Sequence, residues 1–158
     1  MVLEHKYGIF SHERTSAPLD LIHSDIVVPF SHMSMSQSKY VLTYIDDFSR
    51  YCWVYFLKLK FEVFDIFKVF KVLVENQSER KLKIFISNNG GEYVMSELIK
   101  YCEDAGIQMQ HSISYTPQQN GVAERKNRSL KEMATCRMES KTFPPNFWGE
   151  AINCASYI

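Results

Sequence analysis

Segments with two different hydrophobic patterns follow one another along the chain, and their order limits the fold more than any other feature. Three segments rich in β-branched and aromatic residues come first, at residues 19–28, 40–45 and 51–57. A short polar link, residues 46–50, separates the second segment from the third, and its length suits a hairpin. We therefore expect the chain to open with three antiparallel strands.

The remainder of the chain alternates helix-like and strand-like segments. Residues 61–76 are largely apolar, but charged residues recur there every three or four positions, which is the period of a helix. Beyond them we predict a strand at 82–87, a helix at 95–105 that stops at Gly106, and a strand at 107–113. A long helix follows from residue 122 to the Pro144–Pro145 pair, and a final helix covers 146–158. This order predicts an α/β fold with a five-stranded mixed sheet. Strands 1–3 are antiparallel, strands 4 and 5 are parallel, and helices cover both faces.

The composition excludes several classes of protein. With 158 residues, of which 46% are hydrophobic and 14% aromatic, the chain can bury the core of one domain and is unlike a disordered protein. It has no apolar run of the roughly 18–20 residues that span a bilayer, and its N-terminus is unlike a signal peptide. Cys52, Cys102, Cys136 and Cys154 form no CxxC pair, so their spacing favours reduced thiols over a disulfide framework or a zinc site.

The net charge of the whole chain differs from that of one of its segments. The 18 basic residues equal the 18 acidic ones, and that balance by itself argues against a nucleic-acid partner. Residues 118–141, however, contain six basic residues and only three acidic ones. A site that holds a metal ion also needs carboxylates, which cancel basic charge in the sum over the chain. Overall neutrality is therefore compatible with a protein that handles DNA.

Three polar residues are candidates for a site at one edge of the sheet. Asp25 lies near the end of the first strand and Asn88 directly after the fourth. If these strands are parallel neighbours, both residues reach the carboxyl edge, where open α/β sheets bind ligands. Glu124 follows Asn88 after 35 intervening residues, in the first turn of the long helix. Each carboxylate has a structural alternative: Asp25 can accept backbone hydrogen bonds, and Glu124 can pair with Arg128 one helical turn later.

Six short segments carry a family resemblance when they are read together. They are LIHSDI, YVLTYIDDFSR, WVYFLK, SNNGGEY, YTPQQNGVAERKNRSL and FWGEA. In this order, over roughly residues 17–158, they resemble the integrase catalytic core of copia-type LTR retrotransposons. The resemblance implies a retroviral-type integrase of the ribonuclease H-like superfamily, a fold that agrees with the predicted order of elements. It also implies DNA integration by end processing and strand transfer, with Mg²⁺ or Mn²⁺ as the cofactor.

The resemblance also implies a catalytic triad, and this chain matches it at two of three positions. Asp25 and Glu124 match the first aspartate and the glutamate, whereas Asn88 occupies the second position, where the family motif reads Ser-Asp-Asn-Gly-Gly-Glu. In the family these positions hold the metal ions as well. Asn88 keeps a carbonyl oxygen but lacks the negative charge, so we expect weakened metal binding and impaired or absent strand transfer. Whether the chain acts as an enzyme is therefore open.

Four other titratable residues could take part in the site or have structural roles instead. Asp46 and Asp47 are carboxylates, but the meander places them at the opposite end of the sheet from the candidate site, where hairpin residues are expected. Glu92 is the better substitute for the missing aspartate because it lies close to Asn88 in sequence. His23 shares a strand face with the first catalytic position, and it fits either a residue bordering the site or a structural histidine.

DNA contacts are expected on the long helix and on the loop before it. The candidates are Gln118, Asn120, Arg125, Arg128 and Lys131. Basic side chains there would hold phosphates, which fixes the register of DNA rather than the choice of sequence. For any one of these side chains, a solvated surface position is the alternative.

We interpret residues 1–17 as an irregular lead-in and residues 18–158 as an integrase core that is truncated at its C-terminus. The expected partners are DNA, both element ends and target, and a second copy of the chain in a homodimer; no membrane partner is expected. The expected location is intracellular, and nuclear if the integrase functions. The alternative functions are a non-catalytic nucleic-acid-binding module and a dimerisation remnant that keeps the fold.

Overall fold

The structure is a computed structural model that describes residues 15–88, 90–91, 95–111 and 121–157. Its centre is a five-stranded sheet. The strands are β1 (Leu21–Val27), β2 (Tyr40–Asp46), β3 (Cys52–Leu57), β4 (Ile84–Ser87) and β5 (Gln108–His111). They lie in the order β3-β2-β1-β4-β5. β2 is antiparallel to both β1 and β3, whereas β4 is parallel to both β1 and β5. The predicted mixed sheet is confirmed.

Helices pack on both faces of the sheet, as predicted. Those that the described ranges contain are α1 (Val63–Ser78), α2 (Ser96–Asp104), α3 (Gly121–Lys141) and α4 (Trp148–Ser156), with 3-10 turns at Lys60–Glu62 and Pro145–Phe147. Within the described ranges, the predicted boundaries are right to within a few residues; the predicted ends of the fifth strand, residues 112–113, and of the last helix, residue 158, lie outside those ranges. Gly106 ends the α2 connection with a φ of 72°, a left-handed conformation that glycine adopts without a Cβ clash. None of the described helices has the length and apolar character needed to cross a membrane.

The sheet separates two hydrophobic clusters. The cluster under α1 and α2 contains Phe67, Phe70 and Phe85, and Tyr44 stacks on Phe70 with 4.2 Å between ring centroids. The cluster under α3 and α4 is built around Trp148, which is fully buried. Aromatic residues of this size dominate the burial of apolar area, so both helical layers are held firmly to the sheet.

The alternation of side chains along β1 decides which residues reach the candidate site. Ile22 and Ile26 belong to the cluster under α1 and α2. Successive side chains of a strand point to opposite faces, so Asp25 lies on the face that α3 covers. Thr43 is paired with Asp25 across β1 and β2, which places it on the same face. The site is therefore built between the centre of the sheet and α3.

Candidate active site

Asp25 is a buried carboxylate at the centre of the sheet, with 7% of its surface exposed. Its Oδ1 accepts a hydrogen bond from the backbone N–H of Ile26 at 3.0 Å. Two side-chain amides also donate to it, one to each carboxylate oxygen. A buried charge of this kind is tolerated only where hydrogen bonds compensate for the lost hydration, and here amide donors supply them.

Asn88 provides the first of these amides. The residue directly follows β4, and its Nδ2 donates to Asp25 Oδ1 at 2.9 Å. The parallel pairing of β1 with β4 brings the two residues together across 63 positions of sequence. The structure therefore places Asp25 and Asn88 side by side, as the sequence predicts.

The orientation of the Asn88 amide follows from its neighbours. Its Oδ1 accepts the backbone N–H of Gly90 at 3.1 Å, while Nδ2 faces the carboxylate. Exchange of the two amide atoms would set an oxygen against Asp25 Oδ1 and an NH₂ group against an N–H donor. Amide orientations are assigned from such networks, and this network permits only one. Asn88 therefore turns its NH₂ group, not its carbonyl oxygen, toward Asp25.

Asn127 provides the second amide, and sequence reasoning missed its role in the site. Its Nδ2 donates to Asp25 Oδ2 at 3.0 Å, and its Oδ1 accepts the Thr43 hydroxyl at 2.9 Å. Asn127 lies four residues after Ala123 and three before Leu130, so the helical period places the three on one face of α3, and all three are buried. A polar residue within an apolar helical face was the available signal, because a buried amide needs a partner.

Glu124 and two basic residues of α3 line one cleft together with Asp25. The cleft has a volume of about 340 Å³ and also contains Arg128 and Lys131. The Lys131 ammonium lies 5.8 Å from the centroid of the Phe30 ring, close enough for a cation–π contact. Among the described residues no ion pair joins Glu124 to Arg128, so both charges face the cleft without that local partner.

The remaining predicted DNA contacts do not gather at this cleft. Arg125 lines a different cavity on α3. Gln118 and Asn120 lie outside the described residues, as does Glu92, the predicted substitute for the missing aspartate. The predicted basic stripe is therefore divided, with Arg128 and Lys131 at the Asp25 cleft and Arg125 elsewhere.

His23 belongs to a structural pair with Asp47 at the other end of β1. Its Nε2 lies 2.9 Å from Asp47 Oδ1, and Thr15 donates two hydrogen bonds to Asp47 Oδ2. Burial lowers the pKa of His23, and the charges of Arg50 and Arg125 lower it further against the opposing effect of Asp47. The contact with Asp47 engages Nε2 within the fold, which supports a structural role for His23.

Asp46 is likewise engaged in the hairpin. Its carboxylate accepts the backbone N–H groups of Leu19 at 2.8 Å and Ser49 at 2.8 Å. Both aspartates of the hairpin therefore lie at the start of β1, where Ile22 pairs with Asp46, and they do not reach Asp25.

The donor set at Asp25 does not fit a pair of metal ions. Among the described residues there is no group of three His, Cys, Asp or Glu side chains that could hold a metal. Mg²⁺ takes oxygen ligands, whereas Asn88 and Asn127 both turn NH₂ groups toward the carboxylate. Of the described residues, Asp25 and Glu124 are the carboxylates that line the cleft, and together with water they could hold one ion.

Comparison with known proteins gives the chain a family context. Residues 15–117 match the model of a family described as "Integrase core domain". The chain is 45% identical over 148 residues to the retrovirus-related Pol polyprotein from transposon TNT 1-94 of Nicotiana tabacum, covering 94% of this chain and 11% of that protein. It is 37% identical over 144 residues to the corresponding polyprotein from transposon RE2 of Arabidopsis thaliana, covering 91% of this chain and 10% of that protein.

A solved structure shows the same fold at lower identity. The HTLV-2 integrase catalytic core domain, in complex with magnesium and in a dimeric form, superposes with a TM-score of 0.66 at 18% identity. The match covers 91% of this chain and 88% of that one. The chain spans about a tenth of the length of the two polyproteins.

Proposed function

Because the chain belongs to the integrase core domain family, we propose that it is a retrotransposon integrase core that binds DNA but is impaired in end processing and strand transfer. One observation carries the proposal. The Asn88 amide donates to Asp25 at 2.9 Å in the cleft that Glu124 also lines. The second catalytic position of the family thus presents a hydrogen-bond donor to the first, where a metal ligand is needed.

Metal binding by this chain is proposed to be weak. Phosphodiester transfer by two metal ions about 3.5–4 Å apart relies on oxygen ligands that fix both ions. Removing one unit charge about 4 Å from a cation costs on the order of 4 kcal/mol at an effective dielectric of about 20, and solvent at the half-buried Asn88 reduces that figure. Asp25 and Glu124 would hold one Mg²⁺ or Mn²⁺ ion, since one or two carboxylates commonly suffice for Mg²⁺.

DNA binding is proposed to use the cationic side of the same cleft. Arg128 and Lys131 line it within one to two helical turns of Glu124, so a phosphate at the cleft would meet two positive charges. Such contacts position DNA without reading its sequence. Gln118 and Asn120, which precede α3 in the sequence, remain proposed DNA contacts. An integrase acts on chromosomal DNA, so the proposal includes a nuclear location.

The test combines two binding measurements on the purified chain. Duplex DNA should bind with an affinity that falls with salt, and Arg128→Gln and Lys131→Gln should each weaken it, while Lys100→Gln on the exposed face of α2 should not. Titration calorimetry with Mn²⁺ should show weak binding to the wild type and at least about tenfold tighter binding to Asn88→Asp, a difference of 1.4 kcal/mol. Equal Mn²⁺ affinity would contradict the proposed impairment, and a wild type that ignores DNA would contradict the proposed DNA role.

A second role, self-association, is favoured by the outer face of α1. Val69, Val72 and Leu73 are 61%, 55% and 39% exposed, and their spacing of three and four residues places them on one side of the helix. A contiguous exposed apolar patch is typical of an interaction site. The HTLV-2 core is described in a dimeric form, so we propose that a second copy of this chain covers the α1 patch, with or without catalysis.

A further inference from the structure

A second cavity, which we call the Arg50 cavity, lies beside α3, and none of the described residues that line it is a carboxylate. Its volume is about 310 Å³, and it is lined by Ile45, Arg50, Val122, Arg125, Lys126 and Ser129. The Asp25 cleft, in contrast, has two carboxylates among its lining residues. We propose that the Arg50 cavity binds a phosphate group of the DNA backbone, separately from the Asp25 cleft. This inference rests on the proposed DNA-binding function and adds a position to it.

The geometry of α3 divides its cations between the two sites. Val122, Arg125, Lys126 and Ser129 are spaced by three, four and seven residues, so they share one face of the helix. Glu124, Arg128 and Lys131 have the same kind of spacing on a different face, the one that borders Asp25. A single helix therefore presents positive charge to DNA on two flanks. A phosphodiester backbone crossing α3 would meet both.

Arg50 lies in the hairpin between β2 and β3 and lines this cavity. Its backbone conformation is unfavourable for arginine. Its φ is 63°, in the left-handed region that glycine and asparagine adopt at less cost than arginine. Its Nη1 lies 3.5 Å from Asp47 Oδ1, a carboxylate already engaged by His23 and Thr15. A guanidinium carries five N–H donors, so this one contact leaves donors for a phosphate.

Within the described part of the chain, Arg125 and Lys126 of α3 have no acidic partner that would compete with a phosphate. Among the described residues neither Arg125 nor Lys126 forms an ion pair. The Arg125 guanidinium lies against Gly121, where an added Cβ would come within 2.9 Å of Nη1. Gly121 thus gives the guanidinium room over the first turn of α3. The planar fork of arginine matches a phosphate in two-point contacts, and the Ser129 hydroxyl can donate a further hydrogen bond.

The experiment measures the salt dependence of duplex DNA binding by fluorescence anisotropy. Arg50→Asn removes the guanidinium and suits the left-handed backbone, so a loss of binding cannot be ascribed to a damaged hairpin. Lys126→Gln removes a second cation, and Lys100→Gln on α2 is the matched control. Each cavity variant should lower the slope of log affinity against log salt by about 0.9, with roughly five- to tenfold weaker binding near 0.1 M salt. The control should keep the wild-type slope.

A second readout needs no variant. Acylation of lysines by an N-hydroxysuccinimide ester, followed by mass spectrometry, should show that DNA protects Lys126 and leaves Lys100 reactive. The inference would be overturned if both cavity variants kept the wild-type salt slope, or if DNA protected Lys126 and Lys100 equally. The Arg128 and Lys131 variants test the proposed DNA-binding function separately. Tight binding of inorganic phosphate that depends on Arg50, with unchanged DNA binding, would identify a free-anion site instead and would also overturn it. A wild type that binds no DNA would contradict the proposed function itself.

Discussion

Replacing Asn88 by aspartate should destabilise the fold when divalent cations are absent. In the wild type the amide donates to the buried carboxylate of Asp25 at 2.9 Å, so the two groups attract each other. An aspartate would place a carboxylate oxygen at the same position and turn the attraction into repulsion. The acceptor for the Gly90 N–H would be kept, so the change is confined to the contact with Asp25.

Two destabilising contributions and the relaxation that offsets part of them set the magnitude. A hydrogen bond to a charged group contributes about 1.5–3 kcal/mol, and two like charges about 4 Å apart repel by on the order of 4 kcal/mol at an effective dielectric of about 20. Rotation of the new side chain toward solvent, or protonation of one carboxyl group, relieves part of this repulsion. We expect a net loss of about 2–3 kcal/mol, which lowers the Tm of a chain of this size by roughly 4–12 °C.

The assay is thermal unfolding followed by circular dichroism, first in EDTA and then with millimolar Mg²⁺. Magnesium should raise the Tm of Asn88→Asp by several degrees, because a cation that binds only the folded state stabilises it, and should change the wild type little. Asn153→Asp, which adds the same charge at an exposed position of α4, is the control and should behave like the wild type. If Asn88→Asp has the wild-type Tm in EDTA, the Asn88–Asp25 hydrogen bond does not stabilise the fold.

Three further predictions concern other parts of the molecule. Asn127→Ala should destabilise the chain by about 1–3 kcal/mol, since the buried Asp25 carboxylate loses the hydrogen bond from the Asn127 amide; chemical denaturation measures this. Burial acts to raise the pKa of Glu75, but hydrogen bonds from the Lys71 ammonium and a backbone amide outweigh it and lower that pKa below its usual 4.5. Its stabilising effect is therefore present above pH 4.5 and is lost as the pH falls through the lowered pKa, and Glu75→Gln should flatten that part of the stability profile. Leu73→Glu should weaken self-association in sedimentation velocity.

Each of these has a matched control. All three controls change exposed residues. Asn153→Ala on α4 is the control for Asn127→Ala and should leave the stability unchanged. Glu79→Gln after α1 should leave the acid limb of the stability profile unchanged, and Met33→Glu in the loop after β1 should leave the association state unchanged. A control that shifts its measurement as much as the paired variant would remove the structural explanation, and a wild type that is monomeric at all concentrations would contradict the proposed α1 contact.

The sheet and helices could be predicted because their signals are local. The charged residues of 61–76 recur at the helical period, and Phe67 and Phe70 between them are buried against the sheet as that period requires. Gly106 marked the end of α2 for a similar reason. The start of α4 was placed two residues early, because Pro145–Phe147 forms a 3-10 turn before the α-helix begins at Trp148. Local patterns do not separate those two kinds of helix.

The candidate site could be predicted only in part, because its contacts join distant segments. Asp25 and Asn88 were brought together by the parallel pairing of two predicted strands. The bond from Asn127 to Asp25 spans 102 positions, and nothing in the helical period says which partner a buried amide will find. Arg50 could not be assigned to a site with Arg125, because a hairpin residue and a helix residue 75 positions apart share no pattern. Sequence spacing gives faces of single elements, whereas the packing of elements decides which faces meet.

The most direct test of the central proposal is a DNA strand-transfer assay that compares the wild type with Asn88→Asp, in Mg²⁺ and in Mn²⁺. Asn88→Asp with Glu124→Gln provides the background, because it lacks the second carboxylate of the cleft. We predict no wild-type product above that background and clear product from Asn88→Asp. Equal activity of the wild type and Asn88→Asp, or no activity from either, would contradict the claim that this one amide is what impairs the core.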